Sequence, residues 1–178
     1  MSLTGSLGTL STEMEKLRDA VRALRLIVED RPTRGEAALV DRFAYAAVDM
    51  MDWLDESAVA VQRAKQCSDD RPADLEGVRD GLTSSQERIQ RVLRTLVCDV
   101  DNGEAIGELV DFGRQRRGEW LPWTAGVRNS ITACKVPLMD VSQALAQCWQ
   151  DLTERIGTRG LRMREAAVSA VLNEPVSA

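Results

Sequence analysis

From Val127 onward the apolar residues fall at Val127, Ile131, Cys134, Leu138, Val141, Leu145, Cys148 and Leu152, in steps that alternate four and three. That rhythm keeps one side of an α-helix facing a neighbour for about seven turns. A β-strand would throw alternate residues to opposite faces and scatter the same set. Aromatic residues make up only 4% of the chain, and Val, Ile and Thr seldom alternate with polar residues. Both facts count against a sheet.

Other stretches repeat the pattern. Met14, Leu17, Val21, Leu24 and Val28 form a first row, which Leu10 extends backwards. Thr12-x-x-Glu15 reads as a capping box, so a first helix is expected to start between Thr9 and Thr12 and to stop near Asp30, before Pro32. Thr33-x-x-Glu36 marks a second start. Its row is Val40, Phe43, Ala47, Met50, Leu54, Val61 and Ala64, widened by Ala44, Val48, Met51 and Ala58. A stripe that wide suits a helix with two neighbours. A third helix is expected from about Ala73 to Cys98, through Leu75, Val78, Leu82, Ile89, Val92 and Leu96, with Gly81 inside it. Asp101-Asn102-Gly103 reads as a turn. A short helix follows from Glu104 to about Gln115, then a basic loop from Gly113 to Gly118.

The fourth long helix is expected from Leu121, with Pro122 tolerated in its first turn and Pro137 kinking it. Gly157 to Gly160 should stop it, leaving a last short helix over 161–172. Short connections make sequential helices antiparallel neighbours. The expected fold class is therefore all-α: an up-down-up-down four-helix bundle with one or two short extra helices. The Gly- and Ser-rich residues 1–8 read as a flexible start, 9–172 as one domain and 173–178 as a flexible end. At 178 residues the chain has room for one sizeable core.

The charge and cysteine content narrow the partners. A formal net charge of −5 counts against coating by nucleic acid. No apolar run approaches the roughly 18 residues that span a bilayer, and no signal-peptide pattern is legible, so a cytoplasmic, bacterial-type protein without a membrane partner is expected. None of Cys67, Cys98, Cys134 and Cys148 forms a C-x-x-C pair, so free thiols are expected. Cys134 and Cys148 sit on the main seam as small core residues.

The chain contains no histidine. That removes Ser-His and Cys-His nucleophile systems and the Glu-x-x-His pattern of di-iron bundles. No phosphate- or dinucleotide-binding glycine motif is present, and no cofactor is expected. Asp49, Asp52, Asp55 and Glu56 form the densest acidic row. At that spacing they fit Mg²⁺ ligation in an all-α hydrolase of phosphate esters or nucleotides, provided a facing helix supplies more carboxylates. The seam register instead points them to solvent. Arg114, Arg116 and Arg117 lie between the short helix and the long one, and a helix-turn-helix DNA reader is conceivable there. The charge balance and the absence of a legible wing oppose it.

Trp120 and Trp123 flank Pro122 beside these arginines. Trp and Arg together mark contact hot spots, although large aromatic area equally rewards burial. The reading that absorbs most of the sequence is a non-enzymatic helical module acting through a protein partner or self-association. Trp120, Trp123, Arg114, Arg116 and Arg117 are its expected contact residues.

Overall fold

Leu3, Leu7 and Leu10 continue the Met14–Val28 row towards the N-terminus, and the first helix follows them. A computed structural model describes residues 2–32, 38–69, 74–96 and 104–172; for Glu104 and 160–172 it describes the backbone alone. Among these residues there are five helices and no strand: α1 Leu3–Glu29, α2 Ala38–Asp69, α3 Leu75–Leu93, α4 Glu104–Arg116 and α5 Trp120–Leu172. The all-α expectation holds.

The start of α1 corrects the sequence reading. The N-cap is Ser2, whose hydroxyl accepts from the Gly5 N–H at 3.2 Å. Thr12 caps nothing; its hydroxyl donates back to the Gly8 carbonyl at 3.2 Å. Residues 3–8 thus belong to the folded part. Burial of Leu3, Ser6 and Leu7 outweighs the poor helix propensity of Gly5 and Gly8. The far end needs correction too. Gly157 and Gly160 do not stop α5, which runs unbroken for 53 residues, so no separate last helix exists over 161–172. Without a proline or a buried competing partner, two glycines cost only about 1 kcal/mol each. The Thr33–Glu36 box, the 101–103 turn, Cys98 and 173–178 lie outside the described residues.

Specific contacts set the helix pairing. Thr4 meets Ser68, Arg18 meets Asp55 and Arg31 meets Asp41, so α1 and α2 run antiparallel. Ser57 and Ser85 share a 2.6 Å hydrogen bond inside the core, and Glu56 pairs with Arg88, so α2 and α3 run antiparallel. Gly81 lets α3 approach α2. A methyl group there would lie 2.8 Å from the Ala60 carbonyl oxygen and 2.9 Å from the Ala64 Cβ. Ser6 meets Asp151 and Trp123 meets Ile27, so α5 runs antiparallel to α1. By contrast, α3 and α5 meet over a much shorter stretch.

The apolar rows named from the sequence fill one core. Leu10, Leu17, Val21, Val40, Leu54, Leu82, Leu109, Val127 and Ile131 all lie fully buried in it. Pro137 sits inside α5 with buried Cys134 and Leu138 on either side, so the seam keeps its phase across it.

Candidate functional site

The Trp-Arg end is built by a tight hairpin. Arg117 and Gly118 both adopt left-handed backbone, with φ of 56° and 54°. The turn closes with the Arg117 N–H on the Gly113 carbonyl at 3.0 Å and the Trp120 N–H on the Arg117 carbonyl at 3.1 Å. Gly113 is required here, because a Cβ would collide with the Thr124 side chain. The expected basic loop is therefore shorter than Gly113–Gly118: α4 runs through Arg116 and α5 starts at Trp120.

This end gathers three of the chain's seven aromatic residues, packed inward. Phe112 and Trp120 meet edge to face at 5.0 Å, and Trp120 and Trp123 do so at 5.4 Å. Trp120 is only 9% exposed and Trp123 6%. The Trp123 indole donates to the Ile27 carbonyl at 2.8 Å, which satisfies its polar edge and ties α5 to the end of α1. Both tryptophans therefore pack as a plug between helices, and Trp123 also lines a cleft. The arginines alone stay at the surface. Arg114, Arg116 and Arg117 are exposed, and the Arg116 guanidinium lies 5.5 Å from the centre of the Phe112 ring. A cleft of about 540 Å³ opens beside Trp123, with Asp30, Arg31 and Glu119 at its margin.

The acidic row of α2 faces outward. Asp49, Asp52, Asp55 and Glu56 are exposed. Arg18 of α1 binds Asp55 at 2.5 Å and Arg88 of α3 binds Glu56 at 2.6 Å, so two of the four carboxylates serve as clasps to neighbouring helices. Among the described residues, no three His, Cys, Asp or Glu side chains group closely enough to hold a metal ion.

The buried titratable groups are structural in their surroundings. Asp151 is 6% exposed and accepts from the Ser6 hydroxyl and from the Gln147 amide, the latter at 2.7 Å. The Ser6 hydrogen bond holds its carboxyl below the usual range, against the opposing effect of burial. Cys134 and Cys148 are enclosed in the seam, and burial pushes both thiols up to about 12. They are protonated at neutral pH and poor nucleophiles.

A different surface stands out, and the sequence reading passed over it. Val136 is 66% exposed and Met139 70%. They lie on the side of α5 away from the bundle seam, among exposed Thr132, Gln143, Ala146 and Gln150. Next to them a groove of about 590 Å³ opens where α3 and α5 part. Leu93, Leu138 and Met139 give it an apolar floor and lip, with Lys135, Asp140 and Ser142 around them. The signal was present in the sequence: a second row on α5, spaced by three and four, that contains no charge. Among the described residues no helix is long and apolar enough to cross a membrane. Comparison of the chain with family models, with curated proteins and with solved structures finds no match.

Proposed function

We propose that this chain is a non-enzymatic helical interaction module. In this reading α1, α2, α3 and α5 form an up-down-up-down bundle, α4 braces the top of α5, and the outer face of α5 is the contact surface. The observation that carries the reading is the exposed, charge-free patch of Val136 and Met139 beside the Leu93–Leu138 groove. Exposed apolar side chains flanking an apolar groove are what a protein contact covers. The Trp120–Trp123 plug serves the module by fixing where α5 enters the bundle, and the exposed Arg114, Arg116 and Arg117 form a secondary rim.

The test is native sizing of the chain in a lysate of its own source, with the Val136→Asp, Met139→Glu double variant beside it. The module reading expects the wild-type chain to migrate as a complex. It expects the variant to fall to monomer size with unchanged helical circular dichroism. A wild-type chain that migrates as a monomer overturns the reading.

A further inference from the structure

We infer that the outer face of α5 docks against the same face of a second copy of this chain, the two α5 helices lying side by side, parallel and in register. The inference rests on the interaction-module reading above and names its partner. Thr132, Val136, Met139, Gln143, Ala146 and Gln150 advance in steps of four and three, all exposed and none charged. This is the rhythm by which two helices mesh. α5 thus carries two seams on opposite sides: one filled by its own bundle, the other facing outward.

Charge then selects the occupant and its direction. Arg128 and Lys135 border the outer row on one side, and Asp140 and Glu154 border it on the other. In an antiparallel pair each border meets its own counterpart, so cations face cations and carboxylates face carboxylates. In a parallel pair opposite borders meet. Lys135 then comes level with Asp140 of the second copy, five residues further on, and symmetry makes the contact twice. Such rim pairs fix register more than they add affinity.

The length of α5 argues independently for the same arrangement. The bundle seam ends at Leu152, yet the helix continues to Leu172, roughly 30 Å further at 1.5 Å per residue. Thr153–Arg159 are all exposed. Two turns of helix with every residue exposed gain nothing from packing within the chain, and Gly157 weakens them further. A parallel pair lays the two extensions against each other, whereas an antiparallel pair sends them to opposite ends. Leu93, 41% exposed beside the groove, widens the apolar margin of the pairing face.

The experiment uses the purified full chain. Light scattering is expected to give twice the chain mass. In a Cys67→Ser, Cys98→Ser background, Met139→Cys and Ala146→Cys are each expected to form a covalent dimer on mild oxidation. Two positions seven residues apart both face their own counterparts only in a parallel, in-register pair. Lys135→Glu and Asp140→Lys are each expected to weaken dimerisation about tenfold, and the double exchange to restore it. Circular dichroism confirms that each variant folds.

A monomeric mass at every concentration overturns the inference. So does a dimer in which neither cysteine links, or a double exchange that restores nothing. A monomer that takes up an apolar dye in the Leu93–Met139 groove assigns that groove to a small ligand and also overturns it. A purified monomer that still migrates as a complex in lysate removes the second copy while leaving the module reading in place.

Discussion

The helix contacts of α1 with α2, of α2 with α3 and of α1 with α5 run over long stretches, while α3 and α5 meet over a short one and part. The long seams join facing apolar rows, and two buried polar pairs sit in them, Ser57 with Ser85 and Ser6 with Asp151. On the open side α3 and α5 part at Leu93 and Met139 and leave a groove. The two regions share the same three-and-four rhythm in sequence. They differ in what fills the gap between rows. A closed seam is held by complementary volume, whereas the open one keeps apolar side chains in water at a standing free-energy cost that a partner can recover.

The comparison can be broken most forcefully from the closed side. Leu17→Ala empties fully buried volume in α1. It should cost about 2–5 kcal/mol, lowering the melting temperature by roughly 5–15 °C for a domain of this size. Gly81→Ala tests the close approach of α3 to α2. The added methyl meets backbone and a short side chain that cannot swing away, so about 1–3 kcal/mol should be lost despite the better helix propensity of Ala.

Ser6→Ala removes the principal donor to buried Asp151 and should cost about 1–2 kcal/mol in chemical denaturation near pH 7. The native Asp151 carboxyl is held below its ordinary value of 3.8. Its stabilising contribution is therefore fully present above that value and is lost as pH falls through the lower native one. The gap between Ser6→Ala and the wild-type chain should accordingly narrow on acidification below about 3.8. A gap independent of pH in that range would remove Asp151 from the account.

On the open side the same measurements should move little at concentrations dilute enough to keep the chain monomeric. There Met139→Gln and Leu93→Ala should each change unfolding free energy by less than about 1 kcal/mol. If Met139→Gln proved as costly as Leu17→Ala in the dilute monomer, the groove would have to be closed within one chain, and the contrast between the two regions would disappear.

Much of this was legible beforehand. Rows such as Met14–Val28 and Val127–Leu152 are buried residue for residue, because a three-and-four spacing leaves a long helix one way to hide its apolar side. The ends were not legible. Local propensity said loop at Gly5–Gly8 and stop at Gly157–Gly160. At the first site tertiary burial of Leu3 and Leu7 overrode it, and at the second the helix simply continued. The Trp120–Trp123 pair was visible as a cluster, but its direction was not. Whether a tryptophan plugs or protrudes depends on the approach of α1, fixed by the Ile27 carbonyl far away in sequence. The outer row of α5 was missed for a related reason: polar Thr132, Gln143 and Gln150 resemble any solvated face until Val136 and Met139 are seen standing in water among them.

The placement of Cys134 and Cys148 turns the longest helix into its own clock. Both sulfur atoms are sealed and protonated while the seam is shut, so an alkylating reagent must wait for a breath of the fold before it can act. The labelling rate then counts those breaths, and the ratio between the two sites tells which stretch of α5 lifts away first.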